Sequence, residues 1–142
     1  MSMHIATTDA EIEACSPVMR ELRPHIAAGD FLARVRAQER EGYRLAYVSD
    51  GQRPVAVAGF RLGLNLAWGR FLYVDDLVTL PAARSLGYGA ALLTELHRHA
   101  RELGCQELHL DSGVQRLDAH RFYEREGMTI TSYHFTTVLV PR

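Results

Sequence analysis

Residues 70–104 read RFLYVDDLVTLPAARSLGYGAALLTELHRHARELG, and three different patterns meet in them. The first part is an apolar, β-rich run broken by the adjacent Asp75 and Asp76. In the last part Leu92, Leu93, Leu96, Ala100 and Leu103 recur at helical spacing, with Thr94, Glu95, Arg98 and Glu102 opposite and Gly104 as terminator, the pattern of an amphipathic helix. Between them lies RSLGYG, residues 84–89. The following CQELHLD reads as a strand, so strand, helix and strand imply a right-handed parallel crossover.

Upstream, YRLAYVS and PVAVAGFRL flank a turn containing Asp50 and Gly51, which predicts a hairpin. RFLYVDDLVTL is expected as the third and longest strand of an antiparallel meander. MHIATT, residues 3–8, reads as a short first strand, and Asp9 with Glu11 as a helix start. That helix breaks near Pro17 or Pro24, towards Ile26. Gly29 and Asp30 are the expected cap for FLARVRAQERE, with an apolar stripe of Phe31, Leu32, Val35 and Ala37 and a stop at Gly42. Downstream, LDAHRFYEREG predicts a short helix with Asp118 near its start and Gly127 just past its end, and ITSYHFTTVLV predicts a closing strand. The order gives an α/β (α+β) fold, a mixed sheet flanked by helices.

A chain of 142 residues suits one domain, expected to span 1–142. Composition is that of a globular protein, 47% hydrophobic and 23% charged. The net charge of −1 without a basic run argues against a nucleic-acid partner. The N-terminus has no basic segment leading into an apolar one, and no apolar stretch is long enough to span a bilayer, so no membrane partner and a cytoplasmic location are expected. Cys15 and Cys105 stand far apart and read as reduced, buried fillers. The seven histidines show no ligand spacing, so no metal is expected.

A glycine-containing turn that opens a helix has two readings. Unpaired N–H groups and the positive end of the helix dipole hold anions, phosphate above all. Gly87 and Gly89 would let a ligand approach the main chain, and Arg84 stands where a cation could meet it. Alternatively the glycines merely make a tight turn. A Walker loop is excluded, because no lysine follows, and a dinucleotide fingerprint lacks its third glycine.

A different pattern fits. The segment R-S-L-G-Y-G-A, after a strand with an acidic pair and before a helix, a strand and A-H-R-F-Y-E-R-E-G-M, resembles the GCN5-related N-acetyltransferase (GNAT) family. That family's diphosphate loop reads Q/R-x-x-G-x-G/A, matched by Arg84, Gly87 and Gly89, and its later block reads A-x-x-x-Y-x-x-x-G-F, matched by Ala119, Tyr123 and Gly127, with Met128 for the aromatic residue. Two positions depart from the pattern: Arg116 stands where many members carry an asparagine against the pantetheine arm, and Leu86 where the loop is often basic.

The resemblance implies acetyl-CoA as acetyl donor, direct transfer to a primary amine of a small molecule or peptide, and a possible homodimer. It assigns cofactor binding to Arg84, Ser85, Leu86, Gly87, Tyr88, Gly89 and Ala90, and to backbone donors of Leu77, Val78 and Thr79. Attack by an amine requires its deprotonation. Asp75 and Asp76 are candidates from the residues themselves, because a carboxylate inside an apolar strand is costly unless used or paired. Successive strand residues face opposite sides, so the two share one cleft only if a bulge intervenes; a solvated strand end is the other reading. The resemblance favours Asp75 as base through water, Asp76 holding a backbone amide or the substrate's cation. It gives Tyr123 the role of acid toward the departing thiolate. Trp68 either lines an acceptor pocket or caps the hairpin, and His109 and His120 read as surface or core histidines. A non-catalytic acyl-CoA sensor or partner-binding module on the same fold is the contrasting function.

Overall fold

The structure, a computed structural model, describes residues 1–141. It divides into two units, Met1–Leu110 and the stretch from Asp111 onward. In the first, β1 (Met3–Ile5), β2 (Arg44–Ser49), β3 (Pro54–Asn65), β4 (Gly69–Thr79) and β5 (Glu107–Leu110) form one sheet in that order. The first four run antiparallel and β5 lies parallel to β4, so the meander and the crossover are both present. β3, with 12 residues, is longer than β4, with 11, which corrects the expectation that β4 would be the longest.

α1 (Asp9–Leu22) begins one residue after Thr8, whose hydroxyl accepts from the Glu11 N–H while the Glu11 carboxylate accepts from the Thr8 N–H, both at 3.1 Å. This reciprocal cap ends β1 at Ile5, short of the threonines expected in it. The helix carries Pro17 within it and stops at Leu22, two residues before Pro24. α2 (Phe31–Glu39) follows a 3-10 turn at Ala28–Asp30. Asp30 does not cap it through its side chain, contrary to expectation: its backbone is already helical (φ −99, ψ −11), and a capping side chain needs an extended backbone to reach the following N–H groups. Phe31 and Val35 are buried, Leu32 is half-buried, and Ala37 is exposed, so the stripe is narrower than expected.

Alternation along the strands splits the core between the two faces of the sheet. Leu45, Val55 and Val57 pack with Ile12, Cys15, Val18, Met19, Phe31 and Val35 of α1 and α2. Ala46, Ala56, Ala58, Phe60, Leu72 and Val74 pack with Leu92, Leu96 and Ala100 of α3 (Tyr88–Glu102). α3 thus buries Leu92, Leu93, Leu96 and Ala100 of the predicted stripe, while Leu103, the residue after its last turn, is exposed; Gly104, with φ of +75°, is the left-handed stop that glycine permits.

The second unit contains α4 (Leu117–Arg125), closed by hydrogen bonds from the Gly127 and Met128 N–H groups to Glu124 and Tyr123 carbonyls. The closing strand expected at 130–140 does not form: those residues carry no strand, and Tyr133, Phe135 and Leu139 are 83%, 92% and 88% exposed. Alternating β-branched and aromatic residues suit a strand, but a ladder exists only where a second strand presents its N–H and C=O groups in register.

Candidate active site

Across β3 and β4, Gly59 pairs with Asp76 and Phe60 with Val74, leaving Asp75 as an extra residue without an opposite number. This is a bulge, the one condition under which adjacent strand residues can share a side. Both carboxylates therefore reach the face that carries α1 and α2. Asp76 Oδ1 accepts from Arg23 Nε at 2.9 Å, and its Oδ2 from the Tyr43 hydroxyl at 2.9 Å. Asp75 Oδ2 accepts from Arg61 Nε at 2.8 Å, while its carbonyl accepts from Arg23 Nη2 at 3.2 Å. Arg61 also donates to Gln38 Oε1 at 2.9 Å and lies 5.4 Å over the Tyr43 ring.

Local structure explains these positions. Arg23 is the residue that ends α1, Gln38 sits in the last turn of α2, and Tyr43 immediately precedes β2. Tyr43 crosses β3 at Gly59, where a Cβ would fall on the phenol. Burial, reinforced by the charges of Asp76 and Asp75, pushes the Tyr43 phenol far above its ordinary range, so it stays a donor. The two acids end up unlike. Asp76 has both oxygens engaged and its side chain is 14% exposed. Asp75 is 24% exposed, and its Oδ1 accepts no hydrogen bond among the described residues.

After β4, a 3-10 turn at Pro81–Ala83 leads into Arg84 with an extended backbone. Ser85 (φ +66) and Gly87 (φ +89) then adopt left-handed conformations, a geometry that turns successive N–H groups to one side. A non-glycine residue held there costs about 1–2 kcal/mol. Gly87 caps α3 and has no side chain to offer, and the first bond within the helix runs from the Ala91 N–H to the Gly87 carbonyl at 3.0 Å. The N–H groups of Tyr88, Gly89 and Ala90 thus lack partners inside the helix. Arg84 is exposed and pairs with no described residue, and Leu86 is 61% exposed. Free main-chain donors at a positive helix end, beside an unpaired guanidinium, form a donor set that fits a diphosphate.

β4 also has a partly open edge. The Leu80 N–H donates to the Val55 carbonyl at 2.8 Å, and with the β3–β4 register this turns the Val78 and Asp76 backbones towards β3 and those of Leu77 and Thr79 away from it. β5 pairs only with Phe71–Val74. Of the three expected strand donors, the N–H groups of Leu77 and Thr79 therefore point away from β3, and that of Val78 points into the ladder.

Tyr123 lies on α4, in the second unit. It is half-buried, and burial raises its phenol pKa against a smaller opposing effect of Arg116. Arg116 is exposed and precedes α4. His120 hydrogen-bonds the Gly113 carbonyl at 2.8 Å. Trp68 stacks on His109 with ring centroids 3.4 Å apart and meets Phe71 edge-on. An open depression of about 440 Å³ lies elsewhere, lined by Arg36, Glu39, Arg40 and Arg44. Arg36 and Arg44 spend their donors on Asp9, Glu39 and backbone carbonyls. No group of histidine, cysteine and acidic side chains among the described residues could hold a metal, and no helix is long and apolar enough to cross a membrane. The residues that sequence reading missed are Arg23, Gln38, Tyr43 and Arg61. The signal for Arg61 was available, since an arginine inside PVAVAGFRL needs a partner as much as the aspartates do.

The sequence profile of the acetyltransferase (GNAT) family matches residues 8–128. The uncharacterized N-acetyltransferase YhdJ of Bacillus subtilis is 37% identical over 131 residues, 91% of this chain and 92% of its own. The aminoalkylphosphonate N-acetyltransferase of Salmonella typhimurium is 38% identical over 66 residues, 46% of this chain and 43% of its own. In fold, the crystal structure of a GNAT family acetyltransferase from Staphylococcus aureus superposes with a TM-score of 0.81 at 16% identity, covering 97% of this chain and 98% of that one.

Proposed function

Because this chain belongs to the acetyltransferase (GNAT) family and is an acyltransferase, we propose that it moves the acetyl group of acetyl-CoA directly to a primary amine, with Asp75 as the base. The observation that carries the reading is the side-chain-free cap of α3, where Ser85 and Gly87 are left-handed and three helix N–H groups have no acceptor within the helix. When bound, acetyl-CoA supplies an acyl carbon already activated as a thioester. The N–H groups of Ser85 to Ala90, with Arg84 beside them, hold its diphosphate. Leu77 and Thr79 offer N–H donors from the open edge of β4 to the acyl and pantetheine oxygens.

Asp75 Oδ1, the unengaged acidic oxygen, takes the proton of the acceptor ammonium, directly or through one water, and passes it to solvent. The new C–N bond replaces the C–S bond: as the tetrahedral intermediate collapses, the nitrogen gives its second proton to solvent, Tyr123 gives its own proton to the departing sulfur, and Tyr123 regains one from solvent. Its raised pKa keeps it in the protonated form needed for that role. Asp76 is a positioning residue: it fixes Arg23 and Tyr43, and through them the end of α1 against β4.

The test is thiol release from acetyl-CoA with a panel of primary amines, run on wild type and on Tyr123→Phe across pH. The reading expects amine-dependent release, and a fall in kcat of roughly 10²-fold or more for Tyr123→Phe. Acetyl-CoA binding without release by any amine would favour a sensor, and unchanged turnover in Tyr123→Phe would remove its role as acid.

A further inference from the structure

The polar cluster at the bulge has a charge balance that bears on the acceptor, given the acetyl-transfer reading above. Asp75 pairs with Arg61 and Asp76 with Arg23, so the formal charges cancel within the cluster. A site selecting plain cations, such as a polyamine, needs surplus negative charge, and none is left over. In that Asp75–Arg61 pair, each partner keeps a contact point that is free or only weakly engaged. On Asp75 it is Oδ1, which accepts nothing among the described residues. On Arg61 it is the Nη1 edge, whose one contact is the Glu41 carbonyl at 3.5 Å, at the outer limit of a hydrogen bond.

We propose that the acceptor is a zwitterion, a primary amine bearing a carboxylate or phosphonate within a few bonds, and that Arg61 is the residue that selects it. The ammonium sits on Asp75 Oδ1 and the acidic group on the Nη edge of Arg61. The two anchors are joined by the 2.8 Å ion pair, so amine and acid must lie close together in the acceptor. Bound this way, the ligand adds one charge of each sign and every charge keeps a partner. A simple alkylammonium adds only a cation beside Arg61, and like charges in a partly desolvated cluster repel. Arg61 suits the task because Gln38, the Tyr43 ring and Asp75 already hold its guanidinium in place, and a fixed guanidinium fork matches carboxylate and phosphonate oxygens. Arg23 keeps its Nη1 free of partners among the described residues as well, but its ion pair is with Asp76, whose oxygens are both engaged, so it is not joined to the Asp75 carboxylate as Arg61 is.

Three amines of similar length test this: propylamine, β-alanine and 2-aminoethylphosphonate, compared at equal free-base concentration by thiol release and, on the CoA-loaded protein, by calorimetry. Wild type is expected to favour at least one acid-bearing amine over propylamine by about 10- to 100-fold, the range of one or two charge-assisted hydrogen bonds. The preferred acid tells carboxylate from phosphonate. Arg61→Gln should bring that ratio close to one through KM, and Arg61→Lys, which keeps the charge, should retain part of it. Equal or better use of propylamine by wild type overturns the proposal, as does an unchanged ratio in Arg61→Gln. Thiol release without preference sinks the selection by Arg61 and leaves acetyl transfer standing. Preferential binding without release sinks acetyl transfer and leaves the selection standing.

Discussion

Asp75 and Asp76 are neighbours whose oxygens lead different lives, and substitution should separate them. Asp75→Asn keeps the shape of the site but removes the proton acceptor, so kcat is expected to fall about 10²- to 10⁴-fold with little change in the denaturation midpoint. Asp76→Asn removes the charge that both Arg23 and Tyr43 are bonded to. Because Arg23 is 41% exposed, solvent screens part of that loss, and about 1–3 kcal/mol of stability should go; urea titration measures it. If instead Asp76→Asn left stability untouched and abolished turnover, the two roles would be reversed. The cysteines differ in a similar way. Burial pushes the Cys15 thiol up to about 12, with a smaller push from the Glu11 charge, whereas Cys105 is only half-buried. A thiol reagent at mildly alkaline pH should label Cys105 in the native protein and Cys15 only after denaturant is added; rapid native labelling of both would contradict this.

Two elements depend on single residues in ways that stability measurements can read. Gly59 is the position where β3 lets the Tyr43 ring pass to Asp76, and a methyl group there would collide with the phenol. Tyr43 is buried at 3% exposure, so Gly59→Ala must displace the ring or the strand, at an expected cost of about 1–3 kcal/mol and with loss of the phenol–Asp76 bond. A midpoint equal to wild type would mean that the bulge does not need this glycine. At the start of α1, the Glu11 carboxylate is held down to about 2 from the ordinary 4.5, first by the Thr8 N–H, then by the Thr8 hydroxyl and the Thr7 N–H. A folded pKa below the unfolded one contributes stability that is fully present above about pH 4.5 and is lost as pH falls through about 2. Glu11→Gln should therefore flatten the stability profile within that window and leave its shape near neutrality alone; denaturant midpoints from pH 2 to 6 check it.

For the whole molecule, what could be read from sequence was what local periodicity carries. The α3 stripe, the β2–β3 hairpin, the crossover to β5 and the glycine turn that opens α3 all follow from residues within a few positions of one another. What escaped was set by distant pairing. The bulge exists because Asp76 lies opposite Gly59, and the partners of the acidic pair are 14, 33 and 53 residues away; no local pattern announces them. The strand expected at 130–140 is missing for the same reason in reverse: its residues suit a ladder, but a ladder needs a partner in register, which no local pattern supplies. The claim on which the functional account rests is that main-chain donors of Ser85 to Ala90 hold the diphosphate of coenzyme A. Amide NMR during titration with coenzyme A, with pantetheine as the control lacking the diphosphate, tests it residue by residue. The amide signals of residues 85–90 should move most with coenzyme A and little with pantetheine; coenzyme A binding that leaves those amides in place while shifting others would place the diphosphate elsewhere.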